Sequence, residues 1–215
     1  MGYFMFNLNI EDCKSQIGQD VWITKKLNEM DFNPNDFYFV DIGAYDGLHL
    51  SNTYAFEKNL GAKGVCVECN PLMIQRFKYN RPNSDLCTKA IYTESGHKLK
   101  FSLNDCNSCI DNNGDYEVET ISINDLLSSY NATKNITYIN LDIEGLEPEI
   151  LATFDFSKWN VLTWTIEHNH VEANKNKILD ILLKHNYMVK LHEWDIFAYK
   201  DFLEPIYYVD GVRVK

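Results

Sequence analysis

Five short runs rich in valine, isoleucine and phenylalanine alternate along this chain with stretches of helical pattern, and no other feature limits the fold as much. The runs lie at 37–43 (FYFVDIG), 63–70 (KGVCVECN), 85–92 (DLCTKAIY), 136–145 (ITYINLDIEG) and 160–168 (NVLTWTIEH). Between and after them come a capped helix over 51–61 that stops at Gly61, and a helix over 71–82 with Pro71 in its first turn. A short helix starts at Asn124, another covers 146–154, and a longer one spans 171–186 with Val171, Ile178, Ile181 and Leu182 on one face. Strands without a polar face are buried on both sides, so the pattern predicts an α/β fold with a mostly parallel sheet and helices on both faces. HKLKFSL (97–103) and YEVETISI (116–123) read as an antiparallel pair around a polar loop, and 187–200 as a closing antiparallel hairpin. The expected organisation is an N-terminal helical cap over 1–36, the sheet domain over 37–200 and an irregular tail over 201–215.

In an open α/β sheet, ligands bind beyond the carboxyl ends of the strands. Sorting the polar residues by that rule collects acids on one rim. Asp41, Gly43 and Asp46 follow the first strand, and Glu68, Cys69 and Asn70 end the second. Asp142, Glu144 and Gly145 end the fourth, and Glu167 and His168 the fifth. Gly43 and Gly47 permit a sharp turn and a close approach to a ligand. The loop reads G-A-Y-D-G, where a dinucleotide site would have G-x-G-x-x-G, and Asp41 and Asp46 beside it repel phosphate. Glu68 stands where nucleotide-binding proteins place an acid on ribose hydroxyls. A donor with a ribose, no phosphate and a cationic end suits these residues, and S-adenosylmethionine has all three properties. The plainer alternative is a tight turn with solvated carboxylates.

The formal net charge of −11 is opposite to the basic footprint of nucleic-acid binders, so no nucleic-acid partner is expected. The pairs Cys66/Cys69 and Cys106/Cys109 have zinc-ribbon form, but 36 residues separate them and Cys66 alternates with Val65 and Val67 in an apolar strand. They therefore read as packed thiols. No run is long enough to span a membrane and the first residues carry no secretion signal, which gives an expected cytoplasmic location.

With these residues in view, the chain resembles the FkbM-type methyltransferases. The resemblance is carried by SQIGQD (15–20), FVDIGAYDG (39–47), SNTYAFE (51–57), VECNP (67–71), INLDIEGLEPEIL (139–151) and TIEH (165–168). Two segments depart from the family pattern: Asn140-Leu141 precede Asp142 where the family often has lysine, and Cys69-Asn70 interrupt a Glu-Pro. The resemblance implies a Rossmann-like class I fold with a seven-stranded sheet and S-adenosyl-L-methionine as cofactor. It implies that Asp41, Gly43, Ala44 and Gly47 line the methionine end, with Ser51 and Asn52 assisting and Glu68 on the ribose. It also implies that Asp142 lies between donor and acceptor, and that the acceptor is a hydroxyl, often on a sugar or glycan.

An alkyl hydroxyl needs a base to take its proton as the methyl group moves. The candidates are Asp142, Glu167 and His168, with His170 and His192 near them in the reading. Asp142, Glu167 and His168, together with Glu144, are also a candidate set for a divalent cation such as magnesium, manganese or calcium. Glu147 reads instead as a cap on backbone amides. Gln16 and Asp20 either fold over the site entrance or follow a helix N-cap at Ser15. Tyr116, Trp194 and Tyr199 are candidates to stack on a sugar face. Two other functions stay open: a nicotinamide-dependent oxidoreductase, and a non-catalytic binding module on the same fold.

Overall fold

The computed structural model describes residues 5–105 and 108–200, and the backbone of 207–209 and 212–214. The Cys106/Cys109 pair therefore falls partly outside the described residues. Helix α1 (Gln19–Glu29) precedes β1 (Tyr38–Ile42), which is followed by α2 (Tyr54–Leu60), β2 (Lys63–Val67), α3 (Pro71–Asn80) and β3 (Asp85–Cys87). Next come four strands, β4 (Ala90–Ile91), β5 (Lys98–Ser102), β6 (Cys109–Ile110) and β7 (Tyr116–Ile121). The alternation then resumes with α4 (Ile123–Ser129), β8 (Asn135–Leu141), α5 (Glu147–Thr153), β9 (Asn160–Glu167) and α6 (Glu172–Lys184). It ends in β10 (Met188–Leu191) and β11 (Asp195–Tyr199).

The seven-stranded sheet has the order β10-β11-β9-β8-β1-β2-β3. Pairing is parallel from β3 to β9, and antiparallel where β11 inserts between β9 and β10. This is the α/β architecture expected from the alternation, with the seven-stranded sheet that the resemblance implies. The chain crosses at β1, where it first runs outward through β2 and β3 and later returns through β8, and open sheets of this kind bind ligands at that point.

Because side chains alternate along a strand, each central strand feeds two cores. Val40, Ile42, Val65, Val67, Ile139 and Trp164 pack with Leu126, Leu127, Ile150, Ile178 and Leu182 of α4, α5 and α6. On the other face, Phe39, Cys66 and Tyr138 pack with Ile23 and Leu27 of α1, Phe56 of α2 and Phe77 of α3. Each fully buried side chain of this size contributes roughly 1.5–3 kcal/mol, so the two layers fix the strand ends relative to one another. Cys66 is fully buried in the second layer.

Several local expectations are corrected. The run 85–92 is two strands: β3 stays in the main sheet, while β4 leaves it to pair with β7 in a four-stranded sheet of order β4-β7-β5-β6. Its reason is a separate small core, in which Ala90, Phe101 and Val118 bury one another beside Cys69 and Ile110. Val171 is exposed and precedes α6, so it is not part of the apolar face. Ser15 is not a helix cap: α1 begins after Gly18, and Ser15 instead bridges in parallel to Leu50. In the tail, Tyr207–Val209 and Val212–Val214 pair antiparallel where irregular chain was expected. Among the described residues no helix is long and apolar enough to cross a membrane.

Candidate functional site

The loop after β1 is pressed flat against its neighbours. The Gly43 and Ala44 amides both donate to the Val67 carbonyl, at 3.1 and 3.0 Å. Gly43 has φ +87°, and a Cβ there would stand 1.8 Å from the carbonyl oxygen of Asp142. Glycine is thus required twice, for its backbone angle and for its lack of a side chain. Gly47, at φ +77°, is required by packing: its Cβ would meet the Phe77 ring at 2.6 Å. Asp46 accepts from the Leu48 and His49 amides at 2.9 and 2.7 Å and so shapes the turn.

A cleft opens above this loop, lined among others by Gly43, Ala44, Ser51, Asn52, Glu68, Cys69, Asp142, Glu144 and Glu167. Gly47, Asp46 and Asn70 do not line it. Asn70 is buried as the N-cap of α3, accepting from the Leu72 amide at 3.0 Å and donating to Ser108 at 3.2 Å. Asp41 borders the cleft, but both its carboxylate oxygens are engaged inside the protein, by the Thr53 hydroxyl at 2.6 Å and the Asn140 amide at 3.1 Å. Arg81, which the sequence reading passes over, stands behind this pair. Only 2% exposed, it donates to Thr53 at 3.0 Å and to Glu57 at 2.6 Å. Burial raises the Asp41 pKa, and its hydrogen bonds and the Arg81 charge oppose that rise.

One buried polar atom of the cleft lining has no partner among the described residues. Asn52 is 7% exposed, and its Oδ1 has no hydrogen-bond partner. A buried carbonyl oxygen left unpaired costs about 1–3 kcal/mol, so Asn52 presents an acceptor to whatever donor enters the cleft. Glu68 accepts from the Asn70 amide at 2.6 Å, and burial pushes its pKa up to about 7. Ser51 accepts from the Tyr54 amide at 3.1 Å and starts α2.

At the ends of β8 and β9, one carboxylate oxygen from each of Asp142, Glu144 and Glu167 lies within 4.8 Å of the other two. Carboxyl groups this close resist carrying two charges and tend to share a proton. Burial and the neighbouring carboxylates raise the pKa of both, so the pair holds a proton more tightly than free carboxyls do. Asn169 was not anticipated. Its amide donates to Glu144 at 3.1 Å and to Glu167 at 2.7 Å, and its position two residues past Glu167 is the only sequence signal for it. Glu147 caps the loop below, accepting from the Ile143 and Gly145 amides at 2.9 and 3.0 Å, as its sequence context suggests.

His168 departs from the expected set. Its amide bonds the Trp194 carbonyl at 2.9 Å, and its ring, 4% exposed, points to the His192 carbonyl at 3.4 Å. It does not line the cleft, and Glu144 takes its place beside Asp142 and Glu167. His170 and His192 lie outside the lining as well. In the N-terminal segment Gln16 lines the cleft, whereas Asp20 is buried and ties Lys14 and Ser15 to α1. Gln19 donates to Asp195 at 3.0 Å, so residues 15–19 run across the rim from Leu50 to the start of β11. Of the three aromatic candidates, Trp194 lines the cleft. Tyr116 pairs within the second sheet, and Tyr199 sits under Lys26.

Comparison with known proteins gives the family and the fold. The family described as "Methyltransferase FkbM domain" matches residues 41–189. No curated protein matches the chain. Among solved structures, a precorrin-6y C5,15-methyltransferase from Geobacter metallireducens GS-15 superposes with a TM-score of 0.52 at 15% identity, covering 91% of this chain and 94% of its own. A methyltransferase FkbM from Methylobacillus flagellatus KT superposes with a TM-score of 0.51 at 13% identity, covering 86% of this chain. This chain spans 56% of that protein's length. At such identities the two structures show a shared fold.

Proposed function

Since the chain belongs to the FkbM methyltransferase family, we propose that it transfers a methyl group from S-adenosylmethionine to a hydroxyl oxygen, on a sugar or glycan acceptor. The observation that carries this reading is the contact between Gly43 and Asp142. It sets the loop suited to the donor directly against the residue suited to take the proton. The chemistry of the remaining lining fits the same donor. Asn52 Oδ1 needs a donor such as an ammonium group, and Glu68 can accept from ribose hydroxyls.

When bound, S-adenosylmethionine supplies an electrophilic methyl group on a sulfonium centre. The protein's part is alignment and proton transfer. The carboxylates of the rim favour the cationic donor over a neutral competitor. The Asp142–Glu167 pair, sharing one proton, would keep one free carboxylate, and Asp142 would accept the hydroxyl proton as the methyl group leaves sulfur for oxygen. Asn169 holds Glu167 in place and ties it to Glu144. A divalent cation is not required in this scheme, although Asp142, Glu144 and Glu167 are the groups that would hold one.

Calorimetry with S-adenosylhomocysteine and with NADH tests the donor, and transfer of labelled methyl to a glycoside panel tests the reaction. The wild type is expected to bind S-adenosylhomocysteine and not NADH. Asp142→Asn should lower turnover by about 10²–10⁴-fold, the range for losing a general base, while binding of S-adenosylhomocysteine persists. Binding of NADH alone would return the chain to the oxidoreductase reading. Binding of the donor without transfer to any hydroxyl would favour a binding module.

A further inference from the structure

One side of the cleft is built by the turn that follows β9. His168–Val171 closes with a bond from the Val171 amide to the His168 carbonyl at 2.8 Å, and both central residues, Asn169 and His170, have positive φ (50° and 56°). That is the type I′ pattern, at home with asparagine and glycine but strained for histidine. Strain of this kind, of order 1–3 kcal/mol, persists where the surroundings over-determine it, and it clusters at functional sites. Here the turn places two side chains. Asn169 reaches the Glu144 and Glu167 carboxylates. His170 stands edge-on to Trp194, with ring centroids 4.1 Å apart at 61°.

Trp194 is 40% exposed while lining the cleft. Trp159 and Trp164, by contrast, are buried. An exposed indole inside a cleft is a flat apolar surface held in position beside hydrogen-bonding groups. Among the described residues the lining holds one side-chain cation, Lys89, and that lysine is paired with Glu119. The polar lining from the ends of β8 and β9 is therefore acids and an amide, Asp142, Glu144, Glu167 and Asn169, and it disfavours a negatively charged ring.

Resting on the methyltransferase reading above, we infer that Trp194, braced by His170, is the platform for a hydroxylated ring of the acceptor that carries no negative charge, with Glu144 at its hydroxyl edge. A sugar ring presents an apolar face of axial C–H groups to an indole and its hydroxyls to carboxylates. This assigns the acceptor a place at the β9–β11 end, with the donor at the β1–β2 end and Asp142 between them.

The test uses protein saturated with S-adenosylhomocysteine and matched methyl glycosides of neutral hexoses, amino sugars and uronic acids, read by calorimetry and saturation-transfer NMR. At least one neutral or amino glycoside is expected to bind, with its uronic counterpart at least tenfold weaker. Trp194→Ala should weaken that binding tenfold or more, and Trp194→Phe should restore part of it. His170→Ala should fall between, because the indole loses its brace but remains. Uronic acids binding equally well, no glycoside binding at all, or Trp194→Ala leaving affinity unchanged would each overturn the inference. The two levels separate cleanly. Failure of the wild type to bind S-adenosylhomocysteine defeats the methyltransferase reading. Donor binding and methyl transfer with KM unaffected by Trp194→Ala defeats the platform alone. Unchanged affinity of Trp194→Ala for S-adenosylhomocysteine shows that the variant is folded.

Discussion

Gly43 couples the two halves of the site through a missing atom. In Gly43→Ala the new Cβ overlaps the Asp142 carbonyl, which lies in backbone and cannot swing aside. The expected cost is about 3 kcal/mol or more, the sum of overpacking and an unfavourable positive φ, together with loss of S-adenosylhomocysteine binding. Gly61→Ala is the control: at φ +64°, with nothing within 4 Å of the added carbon, it should cost only about 1 kcal/mol. Urea denaturation of the two variants checks both values. The need for glycine at 43 is legible in the sequence, because a sharp turn follows an apolar strand. Its partner is not, because the two residues meet only when β1 and β8 pair. The same limit explains His168. Counting along the strand places it on the rim with Glu167, but the hairpin carbonyl of Trp194 captures its amide, and the ring turns toward His192. Asp41 is a third case: sequence identifies an acid at the strand end, but not that Thr53 and Asn140 occupy both its oxygens.

At the scale of elements, α2 and α3 owe their placement to one buried arginine. Arg81 closes α3 at its C-terminal end and reaches α2 through Glu57 and Thr53, which in turn bonds Asp41 of β1. Removing one partner of a buried charge network leaves the others unpaired. Arg81→Ala should therefore destabilise the protein by roughly 3–5 kcal/mol and weaken donor binding indirectly, by loosening the loop between β1 and α2. Thermal unfolding and calorimetry would read the two effects. Elements with a regular pattern and a partner close in sequence, such as β2, α3 and the β5–β7 pair, are where the sequence puts them. The run 85–92 is not, since its apolar residues serve two different cores and nothing local marks where one gives way to the other.

Over the whole molecule, the cleft and its immediate supports concentrate carboxylates whose pKa values are raised by burial: Glu68 and Glu144 in the lining, Glu147 and Asp195 behind it, besides the Asp142–Glu167 pair. A group with a folded pKa above its unfolded value contributes stability that is full below the unfolded pKa and is lost as pH rises through the folded one. For Glu68 that window runs from 4.5 to about 7. The ligand-free protein should accordingly lose melting temperature from pH 5 to pH 8. Asp12, Asp125 and Asp155, whose pKa values are lowered by hydrogen bonds to their carboxylates, work in the opposite sense but below 3.8, outside this window. Glu68→Gln should raise stability at pH 8 by up to roughly 3 kcal/mol, with little change at pH 5. A flat profile in the wild type, or no gain in the variant, would show that these acids are not desolvated in solution.

The bond between Gln19 and Asp195 joins residues 176 apart, and that separation sets an order of events during synthesis. At 5–20 residues per second, α1 leaves the ribosome on the order of ten seconds or more before the strand that holds Asp195 exists. The parallel core from β1 to β9 can assemble in that interval, but the rim cannot close. Helix α1 can pack on β1 through Ile23 and Leu27 in that time, but its Gln19 link across the rim forms last, and the cleft becomes a finished compartment only when β11 slides in beside β9.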